Sequence, residues 1–169
     1  ITPGSKEAML LMHIAFNGEI IIPAPGWVSY EPQAQIGSNK VHWLETSRAN
    51  NWFPTADELE KKIKKIGKKK NLIFILNSPN NPSGAVCKNL KELAEVFEKY
   101  NFTVLSDEIY SDLHFGDEFH SIAHFYPKTI ISNGLSKWAG AGGWRLGYFA
   151  IPDSLKEIND KISVLATET

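Results

Sequence analysis

Apolar positions along this chain alternate between two periods. From Ser5 onward, Ala8, Met9, Leu11, Met12, Ala15 and Phe16 recur at helical spacing. Glu19 to Ile22 is then a short apolar run closed by Pro23, which reads as a buried strand, and Lys40 to Leu44 reads as a second. Thr55-Ala56-Asp57-Glu58 has the form of a capping box; the helix it opens turns Leu59, Ile63 and Ile66 inward and stops at Gly67. Leu72 to Leu76 is entirely apolar, as a parallel strand covered on both faces must be. Leu90, Leu93, Ala94 and Phe97 mark a further helix, and Phe102 to Leu105, Thr129 to Ser132 and Leu146 to Ile151 further strands. A last helix starts near Asp153-Ser154 and carries Leu155, Ile158, Ile162 and Leu165. Strands separated by helices predict an α/β fold, a mostly parallel mixed sheet flanked by helices.

Composition narrows what such a fold can do. At 169 residues, 43% hydrophobic and 22% charged, the chain can bury a sizeable core and is not a disordered segment. Lys and Arg number 18 against 19 Asp and Glu, a net charge of −1, so no global field favours nucleic acid or an anionic membrane. No apolar stretch approaches the roughly 20 residues of a membrane helix. One cysteine, Cys87, excludes an internal disulfide and fits a reducing, cytoplasmic setting; it is expected to be a small buried residue. No signal peptide is visible, the first residue is Ile1 rather than Met, and the last helical pattern runs to the end, so both ends are expected to be cut. Lys61 to Lys70 holds seven lysines, which read as the solvated face of a helix and its exit turn. His13, His42, His114, His120 and His124 show no metal-ligand spacing paired with cysteine, so no metal is expected; His114 and His120 flank a loop after Tyr110. Trp43 and Trp52 read as packing residues.

Sites in sheets of this kind form at the carboxyl ends of the strands. Three strand ends here carry unusual residues: Ser78-Pro79-Asn80-Asn81-Pro82-Ser83-Gly84 after Leu76, Asp107-Glu108-Ile109-Tyr110 after Leu105, and Asn133-Gly134-Leu135-Ser136-Lys137 after Ser132. Each has an ordinary reading taken singly. Asp107 could cap a turn, Lys137 could be a solvated surface group, and Gly4-Ser5-Lys6 could be a plain helix start. Arg145 lies between Trp144 and Leu146, and such apolar neighbours argue against a free surface arginine. Together they describe a phosphate cradle (Gly4, Ser5, Lys6, Arg145), an amine (Lys137), a carboxylate (Asp107), a phenol (Tyr110) and an amide (Asn81). That set suits an aromatic aldehyde phosphate with a ring nitrogen and a ring hydroxyl.

At these residues the chain resembles the class I and II aminotransferases. Gly134-Leu135-Ser136-Lys137 with Gly140-Ala141-Gly142-Gly143-Trp144-Arg145-Leu146-Gly147 is similar to their pyridoxal-phosphate attachment segment. Pro79 to Gly84 resembles their Asn-Pro-x-Gly loop, Asp107 to Tyr110 their Asp-Glu-x-Tyr segment, and Pro25-Gly26-Trp27-Val28-Ser29-Tyr30 the loop that places an aromatic ring over the cofactor. The resemblance implies pyridoxal 5′-phosphate held by Lys137 as a Schiff base, with Lys137 then moving the proton of the bound amino acid. It implies Asp107 on the ring nitrogen, Asn81 and Tyr110 on the ring oxygen, and Trp27 stacked on the ring. Gly4, Ser5, Lys6 and Arg145 would hold the phosphate, Ser5 and Lys6 largely through backbone N–H groups, and Ser136 would add a hydroxyl. Many relatives carry Ser or Thr where this chain has Gly134, so a phosphate contact is expected to be missing or replaced.

The resemblance further implies that residues 1–169 are the large, cofactor-binding domain of an aminotransferase without its N-terminal arm and C-terminal small domain. Its substrates would be an amino acid and a 2-oxo acid, its parent a homodimer, and the fragment alone inactive. A β-eliminating lyase of the same fold, or a non-catalytic aminotransferase-like sensor module, are the alternatives. Asn81-Pro82 is expected to be cis, with Ala24-Pro25 a second candidate.

Overall fold

Leu72–Asn77 (β3) is buried along its whole length, which requires neighbours on both edges and layers on both faces. A computed structural model, describing residues 1–67, 71–113 and 118–168, supplies them. β3 lies between Glu19–Ala24 (β1) and Thr103–Asp107 (β4) in a six-stranded sheet. Lys40–Glu45 (β2) flanks β1; Thr129–Gly134 (β5) and Gly147–Ala150 (β6) continue beyond β4, giving the order β2-β1-β3-β4-β5-β6. All neighbours are parallel except β6, which runs antiparallel to β5. The predicted mixed, mostly parallel sheet is therefore the observed one.

The pleat divides the apolar residues into two layers. Ile73 and Ile75 face Ser5–Ala15 (α1) and Lys156–Thr167 (α5), in a core with Met9, Met12, Ile20, Leu105, Ile130 and Ile162. Phe74 and Leu76 face Ala56–Ile66 (α3) and Leu90–Tyr100 (α4), with Leu59, Ile63, Leu93 and Phe97. Both halves of the capping box on α3 form: Glu58 N–H donates to Thr55 Oγ1 at 3.2 Å and Thr55 N–H to Glu58 Oε2 at 2.8 Å. Lys61, Lys64 and Lys65 lie on the exposed side of that helix; Lys68, Lys69, Lys70 and His114 fall outside the described residues. Cys87 is buried, and burial pushes its thiol up to about 12.

Two elements differ from the sequence reading. Pro23 does not close β1 but lies inside it, paired with Leu44 of β2. The pairing of β1 with β3 stops at Ile21–Phe74, so Pro23 stands where only one edge of the strand is laddered. A short helix, Tyr30–Ile36 (α2), follows the Trp27 loop; its seven residues include Pro32 and two glutamines and carry too little apolar period to announce themselves. Cis peptide bonds occur at Asn81-Pro82 and Ala24-Pro25, as expected, and also at Ser78-Pro79.

Candidate active site

The carboxyl ends of β3, β4 and β5 and the N-terminus of α1 converge on one cavity. Ser5, Trp27, Asn81, Asp107, Tyr110 and Lys137 all line it, so six residues singled out from separate motifs come together. A groove of about 540 Å³ adjoins it through Asn81 and Tyr110.

Asp107 is the buried charge of the site, 4% exposed. Tyr30 Oη donates to its Oδ2 at 2.6 Å, and Ile109 N–H to its Oδ1 at 3.3 Å. Burial dominates and pushes the carboxyl up to about 6; these two donors hold it from rising further. Burial and the facing carboxylate push the Tyr30 phenol well above its ordinary range. Asn77, at the end of β3, donates from Nδ2 to Asp107 O at 3.0 Å and accepts Asn81 N–H on Oδ1 at 2.7 Å. It thereby ties the Asn81 loop to the Asp107 strand. Sequence reasoning did not single out Tyr30 as a partner of Asp107, nor Asn77; the only signal was their position beside motif residues.

Removing the Tyr30 hydroxyl has a defined consequence. A hydrogen bond to a charged group contributes about 1.5–3 kcal/mol, or roughly one to two pH units. Tyr30→Phe is expected to move the Asp107 titration midpoint upward by about that much, read from the carboxyl carbon by NMR. An unmoved midpoint would show that the hydrogen bond does not set the carboxyl's ionisation.

Lys137 lies exposed beyond β5, its Nζ 5.5 Å from the centroid of the Tyr110 ring. Trp27 meets Tyr30 edge-on at 5.3 Å between centroids, and Lys6 Nζ stands 5.1 Å from the Trp27 ring centroid. The Lys6 ammonium is thus placed on an aromatic face, so its backbone N–H is what it offers to the start of α1. Ser136 is half-buried, and among the described lining residues of the cavity it does not occur.

The α1 end of the cavity is shaped by glycines. Gly4 has φ +92, and a Cβ there would stand 2.2 Å from Arg145 Nη2. A Cβ on Gly147 would stand 2.2 Å from Ser5 N and 2.5 Å from Gly4 C. Gly134, paired with Gly147 across β5 and β6, would carry its Cβ 2.7 Å from Leu146 O. Close packing therefore accounts for glycine where many relatives were expected to carry Ser or Thr. Arg145 does not follow the sequence reading. It is exposed, because Trp144 and Leu146 are themselves exposed, yet it is held in place: Nη1 donates to Gly142 O at 2.7 Å and Nη2 to Pro3 O at 3.4 Å. The cation, the left-handed Gly4 turn and the N–H groups of a helix start lie together, as anion binding requires.

Among the described residues, no group of three or more His, Cys, Asp or Glu side chains is placed to hold a metal ion, and no helix is long and apolar enough to cross a membrane.

The family model described as aminotransferase class I and II matches residues 1–166. An aspartate aminotransferase from Thermotoga maritima is 34% identical over 170 residues, covering 96% of this chain and 44% of its own. An aromatic-amino-acid aminotransferase from Thermococcus litoralis is 36% identical, covering 93% of this chain and 42% of its own. Among solved structures, a mutant of the Thermus thermophilus aspartate aminotransferase superposes with a TM-score of 0.90 at 29% identity, over 99% of this chain and 44% of that one. The chain thus spans less than half the length of the relatives it matches.

Proposed function

Because this chain belongs to the class I and II aminotransferase family, we propose that it is the cofactor-binding domain of a pyridoxal-phosphate enzyme that transfers an amino group from an amino acid to a 2-oxo acid. The observation that carries this reading is a buried carboxylate, Asp107, and a free amine, Lys137, lining one cavity with Tyr110 and Asn81. Those residues fit the cofactor's chemistry, and the Gly4–Gly147 cradle, which a single Cβ would fill, fits its phosphate.

The cofactor, when bound, supplies a protonated ring into which the charge left at an amino acid's Cα spreads. The chain's own residues do the rest. The Asp107 carboxylate keeps the proton on the ring nitrogen, held at its post by Tyr30 and Asn77. The Lys137 amine would hold the cofactor and is the group that would carry a proton from and to Cα. Tyr110 and Asn81 would hydrogen-bond the ring oxygen, and Trp27 would cover the ring face. Ser5 and Lys6 N–H groups with the Arg145 guanidinium would hold the phosphate beside Gly4; Ser136, outside the cavity lining, is not needed for it.

The same reading places the chain in the cytoplasm, supported by its one buried cysteine, and pairs the parent protein as a homodimer. Trp138, Trp144, Leu146 and Tyr148, all exposed around the Lys137 segment, support the pairing.

The test is covalent. Soaking the chain with pyridoxal phosphate, reducing with borohydride and mapping the modified peptide is expected to label Lys137. A label on another lysine, with Lys137 unmodified, would overturn the assignment.

A further inference from the structure

Asp107 is followed by a second buried carboxylate that the cofactor chemistry leaves unused. Glu108 is 6% exposed. Its Oε1 accepts two hydroxyls, from Ser106 at 2.8 Å and from Ser121 at 2.6 Å. Burial raises its pKa, and the two hydroxyls and His124 lower it.

The two serines belong to different parts of the chain. Ser106 lies within β4. Ser121 starts the 3-10 turn Ile122–His124 and caps it by accepting Ala123 N–H at 3.2 Å. That turn is fastened into the core on the α4 side: Ile122 and Tyr126 are fully buried, and Tyr126 Oη donates to Phe102 O at 2.5 Å. One carboxylate oxygen therefore clasps the end of β4 to an anchored segment 13 residues further on. Tyr110 sits between the clasped ends. Its turn is closed by Ser111 N–H on Glu108 O and by Leu113 N–H on Tyr110 O, both at 2.9 Å. Glu108 N–H in turn donates to Ser132 O of β5 at 2.9 Å. The backbone and the side chain of Glu108 are both fixed, and the backbone it fixes carries the Tyr110 phenol to the cavity.

We propose that Glu108 is a positioning residue for Tyr110: by joining Ser106 to Ser121 through one oxygen, it fixes the turn that carries the phenol and sets where the ring lies against Lys137. A neutral isostere would keep this function, because the Gln Oε1 can accept the same two hydroxyls, whereas alanine would leave both hydroxyls without their acceptor. The inference rests on the cofactor reading only for what Tyr110 does once placed; the placement itself is testable without cofactor.

The full chain labelled with ring-¹³C tyrosine, Tyr110 being assigned by its disappearance in Tyr110→Phe, provides the measurement. Glu108→Ala is expected to move the Tyr110 resonance while those of Tyr100 and Tyr148 stay, Glu108→Gln to leave it in place, and Ser121→Ala to move it in the same direction as Glu108→Ala. In chain loaded with pyridoxal phosphate, Glu108→Ala should shift the pH midpoint of the visible absorption band in the direction that Tyr110→Phe does, and add nothing to it in the double variant. An unmoved Tyr110 resonance in folded Glu108→Ala, equal movement in Glu108→Gln, or full additivity with Tyr110→Phe would each overturn the proposal. Should Glu108→Ala not fold, Ser121→Ala against the parent chain decides it, an unmoved resonance again being fatal. Should no variant bind pyridoxal phosphate, the cofactor reading fails, and the tyrosine resonances still decide the clasp.

Discussion

Asp107→Asn is expected to raise the stability of the cofactor-free chain at pH 7.5 by ~3 kcal/mol. The size follows from a carboxyl moved from its ordinary 3.8 to about 6 by burial, each pH unit being worth about 1.4 kcal/mol. The sign follows from proton counting. Between the two values the folded chain binds more protons at this site than the unfolded chain, so the site's contribution to stability falls as pH rises from about 4 to about 6 and stays low above. Below pH 4 both states are protonated and Asn has nothing to relieve. Urea unfolding of both proteins at pH 4 and pH 7.5 reads this directly: the gap should open between those values, and an equal gap at both would contradict the account. The same substitution is expected to cost the full-length protein about 10²–10³-fold in amino-group transfer, the usual loss when one preorganised charge-stabilising group is removed. A change that strengthens the fold while disabling the site would mark Asp107 as a residue kept for chemistry at the expense of stability.

The second large effect is expected at Gly147. A methyl group there meets the Gly4–Ser5 backbone, Ser5 N at 2.2 Å, Gly4 C at 2.5 Å and Gly4 Cα at 2.9 Å, and backbone cannot step aside as a flexible side chain can. Gly147→Ala should therefore push the start of α1 away from β6, costing about 1–3 kcal/mol as overpacking does. The diagnostic readout is ligand selectivity. If this end of the cavity holds the phosphate, pyridoxal phosphate should bind at least about tenfold more weakly, while the phosphate-free aldehyde pyridoxal binds as to the parent chain. Equal losses for both ligands would mean that the glycine serves the fold alone.

Much of the site was legible because its residues are fixed by local chemistry. Asp107 ends an apolar strand, Lys137, Asn81 and Tyr110 each stand just beyond one, and strand ends are readable from the run that precedes them. The continuous apolar run of β3 and the Thr55 box of α3 declared themselves for the same reason. What escaped was set by distance in the chain. The Tyr30–Asp107 bond joins residues 77 positions apart, and α2, which carries Tyr30, is too short and polar to show a period. Asn77 reads as the residue after a strand until the two ends of its side-chain amide are seen bridging the Asn81 loop and β4. Arg145 misled because burial was inferred from the hydrophobicity of Trp144 and Leu146, and both are exposed. Gly134 reads in sequence only as a missing phosphate contact, but the role of the Gly134–Gly147 pair is steric, and no single-residue property reports the approach of a helix from the far end of the chain.

That approach bears on when during synthesis the protein can begin to work. Thr2 and Gly147 exchange both backbone hydrogen bonds, at 2.8 and 3.0 Å, so the cradle is completed from the first residues of this chain and some of its last. At about 5–20 residues per second, the start of α1 leaves the ribosome many seconds before its partner strand exists. Asp107 and Asn81 can meet on a partly made chain, but a phosphate cannot be gripped until Gly147 has emerged. If this end of the cavity holds the phosphate, cofactor capture waits until translation has passed Gly147, and a ribosome stalled before β6 would hold a nascent chain unable to retain it.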